Sequence, residues 1–279
     1  MSKNEALLIK RNIHLAASKV NRVAELRVRE SVDAVYESMK EESWSRSLFF
    51  YKMPFVLADC GSLNQEAKLL KSGIYPFLKP TRHYFEKEWS TALASIRCLP
   101  LVAQGKNIFQ RLEDAQMCTM ATHGGVNAIL ASRLLGYFAY HCLNGAVYGK
   151  SRSELFDIIA DGRTVWGTFS ADSGLAQKAK DSLPDGYMNQ LELAVMRVVS
   201  LIRTDFMRTG VVPIDFVANR LSLEAKTDSG DALAVVILAV YLLGFANEGN
   251  VASVYRAVQQ FANTYLTVLF HTLLYLESV

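Results

Sequence analysis

Four residues have the side-chain types that bind zinc or support nucleophilic catalysis: Cys118, His123, His141 and Cys142. Structural zinc prefers close cysteine or histidine pairs, whereas Cys118 and His123 lie five positions apart. Adjacent residues such as His141 and Cys142 would project about 100° apart on a helix, which suits chelation badly. A thiol–imidazole nucleophile pair needs spatial adjacency and an oxyanion site, and the sequence shows neither. We therefore expect buried thiols and ordinary histidines, without a bound metal.

A second candidate is the carboxylate pair Asp228 and Asp231, which could hold a divalent cation. Aspartate at the start of a helix is also favoured by the helix dipole and by capping, and this interpretation is preferred here. Glycine-rich phosphate loops, GxSxG and HExxH are all missing from the sequence. The pattern favours a non-enzymatic protein without a cofactor. A helical enzyme with a pocket near His123, His141 and Asp228/Asp231 stays open as an alternative.

The first part of the chain is basic. Residues 1–113 contain 18 Lys and Arg against 12 Asp and Glu, whereas residues 114–279 contain 12 against 15. This asymmetry favours polyanion contact in the first part and helix packing in the second. The formal net charge of the whole chain is only +3, which favours the alternative of a helical protein–protein interaction or coat subunit that does not touch nucleic acid.

Aromatic rings and cations alternate in residues 75–85, YPFLKPTRHYF. Rings can stack on bases and cations can meet phosphates, so the segment favours nucleic-acid binding, with RNA preferred over DNA. The alternative is that the rings belong to the core and the cations to its solvated rim. The candidate nucleic-acid contacts are Arg11, Lys19, Arg22, Arg29, Lys71, Lys79, Arg82, Tyr84, Lys87, Arg97, Lys106 and Arg111.

Helices must position these residues. Residues 5–41 carry apolar side chains at three- and four-residue steps without proline or glycine, which predicts one long helix. On that helix Arg11, Arg22 and Arg29 would lie within about 20° of one another and form a basic stripe. The chain has only 6 Pro and 16 Gly, and no segment alternates apolar and polar residues. The sequence therefore predicts a mainly α, multi-helix globular fold.

Further helices are expected at residues 84–98, 107–120 and 126–143, and one last helix from residue 251 to the C-terminus. Ser151 and Glu154 have the spacing of a capping box. Gly124 and Gly125 predict a helix boundary and a hinge. His123 then falls in the last turn of the preceding helix, where an imidazole suits the negative helix end.

Residues 232–246 are the most apolar run, ALAVVILAVYLLGFA, bounded by Asp231 and Asn247. The run is shorter than the ~20 residues of a membrane-spanning helix, so a buried central helix is favoured over a membrane-associated protein. The N-terminus does not resemble a signal peptide, and the four cysteines form no CxxC motif. These features favour reduced thiols and a cytoplasmic protein, or one inside a virion.

Two helical lobes are expected, a basic one over residues 1–122 and an apolar one over residues 123–279. The boundary between them is not sharp, and a single domain is the alternative. Apolar residues make up 51% of the chain, which favours burial between subunits and a homo-oligomer. The leading hypothesis is a self-assembling structural protein, similar in plan to viral nucleocapsid and coat proteins, that binds RNA non-specifically through its basic, aromatic-interleaved N-terminal half.

Overall fold

The computed structural model describes residues 3–40, 92–103, 107–166, 231–260 and 263–278, together with residues 52, 53, 56, 57, 186, 189, 192, 193 and 196. The described part is mainly helical and contains no strand, which confirms the predicted fold class. Its helices are α1 (Lys3–Ala17), α2 (Arg22–Ser38), α3 (Leu93–Val102), α4 (Ile108–Met120), α5 (Val126–Leu143), α6 (Arg152–Asp161), α7 (Arg163–Trp166), α8 (Ala232–Phe245), α9 (Val251–Gln260) and α10 (Thr264–Glu277). A single π-helical turn, Ala246–Asn250, joins α8 to α9.

The N-terminal segment forms a helical hairpin, so the prediction of one long helix over residues 5–41 is wrong. Helix α1 ends at Ala17, and Asn21 starts α2 by accepting a hydrogen bond from the Ala24 amide at 3.0 Å. A side-chain cap offers the backbone an alternative to continued helix. Folding back also brings the apolar faces of α1 and α2 into one core. Lys10 joins the two helices through Asp33, at 2.8 Å from Nζ to Oδ1.

The C-terminal segment is likewise two helices, and the prediction of one helix from residue 251 is wrong. Helix α9 ends at Gln260 and α10 begins at Thr264. Asn263 is the N-cap of α10. Its backbone is extended, and its side chain accepts a hydrogen bond from the Leu266 amide at 2.9 Å, which starts the new helix. A capping residue inside an apolar periodicity is easily read as part of a helix.

Helix α3 continues through Pro100 to Val102, although the sequence predicted an end before the proline. Proline removes one amide donor but fixes a helical φ, and Pro100 stands near the C-terminal end, where few turns remain to be disturbed. The predicted bounds of α4 and α5 are confirmed. The capping box is confirmed too: Ser151 and Glu154 exchange side-chain and backbone hydrogen bonds at the start of α6.

Helix α5 occupies the centre of the described structure. It packs against α3, α4, α8 and α10, while α10 also packs against α1. The buried side chains from Ala6 to Leu276 belong to one hydrophobic core, to which helices on both sides of residue 122 contribute. The division into two lobes stays a prediction.

Every residue of α8 is buried against neighbouring helices. By length and composition, Ala232–Gly249 could cross a membrane, but 83% of this segment is buried inside the protein. A core helix of a globular protein meets the same criterion, and the contacts of α8 with α5, α6 and α10 account for its apolar character. The structure therefore gives no strong indication of a membrane span.

Candidate functional site

Three of the candidate cations lie on α1, in the connection that follows it and at the start of α2. Arg11, Lys19 and Arg22 are exposed, and none of them makes an ion pair or hydrogen bond with the part of the chain that the structure describes. We call Arg11, Lys19 and Arg22, with the exposed residues among them, the hairpin corner. Unpaired cations of this kind are free to approach an anionic partner.

Arg29 differs from these three because it is partly engaged within the hairpin. Its guanidinium lies 2.8 Å from the Glu25 carboxylate and donates to the His14 carbonyl oxygen at 3.3 Å. The side chain is 40% exposed, so it can still contribute positive charge. Its ion pair with Glu25 must weaken before it contacts an anion.

The hairpin changes the arrangement that the sequence predicted. On a continuous helix Arg11 and Arg29 would stand about 27 Å apart along one line. Instead, Arg29 donates to the carbonyl oxygen of His14, three residues from Arg11. The predicted basic stripe along one continuous helix is therefore wrong, and its arginines are divided between α1 and α2.

Large apolar side chains are also exposed on α1 and α2. Leu15 is 52% exposed, Val23 72% and Leu26 52%. Exposed large apolar residues on the two helices that carry unpaired cations make the hairpin a candidate interaction surface.

Two further candidates, Arg97 and Arg111, are buried. Arg97 is 0% exposed and Arg111 4%. The Arg111 guanidinium lies 5.0 Å from the Tyr140 ring centroid, and burial lowers its pKa. A buried guanidinium cannot reach a phosphate on the protein surface, so we leave both residues out of the hairpin corner. The remaining candidates, Lys71, Lys79, Arg82, Tyr84, Lys87 and Lys106, lie outside the described residues.

Arg97 belongs to a second feature, a buried polar centre between α3, α4 and the start of α5. Its guanidinium donates to the Thr122 hydroxyl and, at 3.3 Å, to the Cys118 carbonyl oxygen. The Thr122 hydroxyl lies 2.6 Å from Nδ1 of His123. Among the described residues no carboxylate forms an ion pair with Arg97. A buried cation with neutral partners is an unusual feature of a protein interior.

The polar centre continues into a chain of hydroxyl and thiol groups. Cys98 Sγ lies 3.3 Å from the Thr119 hydroxyl, which donates to Ser132. Ser132 in turn lies 3.0 Å from the Ser95 hydroxyl. All of these residues are buried, so α3, α4 and α5 are joined by polar as well as apolar contacts.

His123 is neutral in this environment. Burial, and then the positive charge of Arg97, lower the pKa of His123 well below its ordinary value. The residue lies beyond the end of α4, and its amide donates to the Thr119 carbonyl oxygen at 2.9 Å. The helix boundary predicted at Gly124 and Gly125 is confirmed, whereas the placement of His123 in the last helical turn is wrong.

The four possible zinc or catalytic residues do not converge on one point. Cys118 and His123 belong to the polar centre, whereas the half-buried His141 ring packs edge-on against Tyr137 at 4.5 Å. Within the described ranges, no three His, Cys, Asp or Glu side chains lie close enough together to hold a metal ion.

Asp231 caps α8, as its position before the apolar run predicted. Its carboxylate accepts from the Ala234 amide at 3.0 Å and from the Asn127 side-chain amide. The second contact ties the start of α8 to the first turn of α5. Asp228, its expected companion, lies outside the described residues.

The sequence did not single out Thr122, Cys98, Ser95 or Ser132 as members of a site. One signal was present: Arg97 stands inside the apolar run LASIRCLPLV, where a solvated cation is not expected. The hydroxyl residues gave no signal, because serine and threonine occur in helices of every kind.

Comparison with known proteins adds no family to this description. No protein-family model and no curated protein matches the chain.

Proposed function

We propose that this protein is a self-associating helical structural protein that binds RNA without sequence preference, using the hairpin corner as part of its contact surface. The observation that carries the proposal is that Arg11, Lys19 and Arg22 are exposed and unpaired within the described structure. Other basic residues of the hairpin, such as Lys10 and Lys40, are engaged with carboxylates.

The mechanism is electrostatic. Each cation that meets a phosphate releases condensed counterions, and this release drives binding at low salt without reading the bases. Four of the candidate cations, Arg11, Lys19, Arg22 and Arg29, supply one part of the RNA contact. The rest of the contact would come from residues 71–106, where the aromatic side chains that could stack on bases are concentrated.

Self-association would use exposed apolar side chains of α1 and α2. Leu15, Val23 and Leu26 present branched aliphatic side chains that water solvates poorly. A second copy of the chain that covers them would bring two sets of cations together, and a multivalent basic surface binds a long polyanion more tightly than a single set.

Titration of the purified chain with single-stranded RNA of two unrelated sequences tests this proposal. We expect similar affinities for both RNAs and a steep loss of affinity as salt rises. Light scattering on the same preparation should report a mass above that of one 31.1 kDa chain. Failure to bind at low salt, or binding that salt does not weaken, would overturn the RNA proposal. A stable monomer would overturn the assembly proposal.

A second candidate function is favoured by the polar centre: recognition or turnover of a small anionic molecule, as in the helical-enzyme alternative. Arg97 supplies a buried positive charge, and Thr122 and neutral His123 supply a hydroxyl and an imidazole beside it. A neutral imidazole can take part in a hydrogen bond with a bound molecule through its ring nitrogens.

Thermal unfolding with added inorganic phosphate or acetate tests this second candidate. Binding at Arg97 should raise the melting temperature of the wild type, because a ligand that binds only the folded chain stabilises it. Thr122→Val removes the hydroxyl between Arg97 and His123 and should reduce the shift. An unchanged melting temperature at high concentrations of both anions argues against a small-anion site.

A further inference from the structure

Two buried cysteines, Cys98 on α3 and Cys118 on α4, lie on helices that pack against each other. Cys98 Sγ contacts the α4 backbone at the Ala115 carbonyl oxygen, at 3.3 Å, and the Thr119 hydroxyl, also at 3.3 Å. Residues 115, 118 and 119 share one face of a helix, because positions three and four apart are neighbours. Cys118 therefore stands on the face of α4 that Cys98 touches.

The two sulfurs differ in character. The Cys98 thiol and the Arg97 guanidinium both stabilise a thiolate at Cys118 and lower the pKa of that residue. Burial raises the pKa of Cys98 well above its ordinary value, so Cys98 keeps its proton. A thiol with a lowered pKa beside a thiol that keeps its proton is the arrangement found in reactive dithiols, since the thiolate is the nucleophile.

We propose that Cys98 and Cys118 form a redox-active dithiol, which a hydroperoxide oxidises to an intramolecular disulfide that joins α3 to α4. This inference does not depend on RNA binding.

The reaction balances as a two-electron oxidation. The Cys118 thiolate attacks one oxygen of hydrogen peroxide, the O–O bond breaks, and Cys118 becomes a sulfenic acid while hydroxide leaves and takes up a proton to give water. Cys98 sulfur then attacks the Cys118 sulfur, an S–S bond forms, and the sulfenic oxygen leaves as a second water with the Cys98 proton. Two thiols are oxidised and one peroxide is reduced to two waters.

Burial sets the choice of oxidant. Cys98 is 1% exposed and Cys118 0%, so a small neutral peroxide can reach them through brief openings of the chain, whereas a large charged disulfide such as oxidised glutathione cannot. Cys142 offers an internal comparison. It is buried as well, but burial and the nearby Glu277 carboxylate raise its pKa well above the ordinary value, and no thiol partner stands beside it among the described residues.

The test treats the folded full-length chain with hydrogen peroxide, unfolds it in the presence of an alkylating reagent, and counts the free thiols by intact mass. The wild type should lose two of its four thiols, and peptide mapping should find residue 98 linked to residue 118. The Cys60→Ser/Cys142→Ser variant leaves both proposed sulfurs and their neighbours intact, and it should also lose two thiols. Oxidised glutathione should leave the thiols of both proteins unchanged on the same time scale.

Single variants separate the roles of the two cysteines. With Cys98→Ser, Cys118 should stop at the sulfenic acid and react with a dicarbonyl trap, whereas with Cys118→Ser the Cys98 thiol should remain unmodified. The proposal is overturned if the wild type keeps all four thiols, or if the disulfide found joins any other pair. Because the wild type and the Cys60→Ser/Cys142→Ser variant decide the result, a folding defect of a single variant does not obscure it.

Discussion

The backbone of Arg152 lies directly against Gly244. A Cβ atom on residue 244 would stand 2.7 Å from the Arg152 Cα atom, closer than real Cβ contacts allow. The approach lets the start of α6 meet the end of α8, where Arg152 also binds Glu248 with its guanidinium and stacks over the Phe245 ring. A glycine in an apolar helix here permits helix contact rather than flexibility.

Gly244→Ala should therefore destabilise the chain by about 2 kcal/mol, because the clash is with backbone that cannot rotate away. Gly136→Ala is the matched control. Its Cβ would meet only side-chain atoms, the nearest being Val102 Cγ2 at 3.3 Å, and the helix gains about 1 kcal/mol of propensity from alanine. Chemical denaturation measures both, and equal effects of the two substitutions would contradict the close approach.

We expect alanine substitutions of the two capping residues Asn263 and Asn107 to lower the free energy of unfolding by unequal amounts. Both accept one amide hydrogen bond at 2.9 Å, from Leu266 and Gln110 respectively, but Asn263 is buried and Asn107 is exposed. Asn107→Ala should cost about 1 kcal/mol, since water replaces the lost acceptor. Asn263→Ala should cost about 2 kcal/mol or more, because the Leu266 amide is left without an acceptor in a buried site. If Asn263→Ala lowers stability by less than Asn107→Ala does, the start of α10 is solvated and the prediction is wrong.

His271 predicts a loss of stability in acid. Burial, together with the nearby charge of Lys19, lowers the pKa of His271 from 6.5 to about 4. In the unfolded chain the ring takes up a proton near pH 6.5, whereas the folded chain resists protonation until about pH 4. The stabilising contribution is therefore present above pH 6.5 and is lost as the pH falls towards 4, by up to about 3 kcal/mol at about 1.4 kcal/mol per pKa unit.

His271→Phe should remove this part of the pH dependence. The ring would remain among Phe270 and Tyr255, and Nδ1 of the histidine has no hydrogen-bond partner to lose. Denaturation of both proteins at a series of pH values gives the comparison, because other acid-sensitive groups affect the two proteins alike. If wild type and variant lose stability in parallel between pH 6.5 and 4, His271 does not carry the effect.

Helix composition and caps were readable from the sequence. The bounds of α5, the capping box of Ser151 and Glu154 and the cap at Asp231 follow from local chemistry that acts within one or two turns. The two breaks, at residues 18–21 and at Asn263, were missed. In both places the apolar periodicity continues across a capping asparagine. Long-range packing, such as that of α1 against α2, decides where the helix stops.

The candidate site was less predictable than the fold. Composition shows where cations are concentrated but not which of them the core encloses, so exposed Arg22 and buried Arg97 looked equivalent. Likewise, Cys98 and Cys118 are 20 positions apart, and only the packing of α3 on α4 places Cys98 against the α4 face that carries Cys118. Pairing across helices depends on long-range contacts that one sequence does not reveal.

The most direct test of the RNA proposal compares two variants that lose the same charge. One is Arg11→Gln/Lys19→Gln/Arg22→Gln at the hairpin corner. The other is Lys40→Gln/Lys150→Gln/Arg163→Gln, which removes three cations outside it, two of them already paired with carboxylates. Circular dichroism and thermal melting confirm that both remain helical and folded.

The affinity for single-stranded RNA is then measured as a function of salt. The corner variant should bind more than about tenfold more weakly at low salt, and its slope of log affinity against log salt should fall by about 2, the value for three lost contacts. The control variant should keep the slope of the wild type. Equal salt slopes for the corner variant and the wild type would contradict the assignment of RNA binding to Arg11, Lys19 and Arg22.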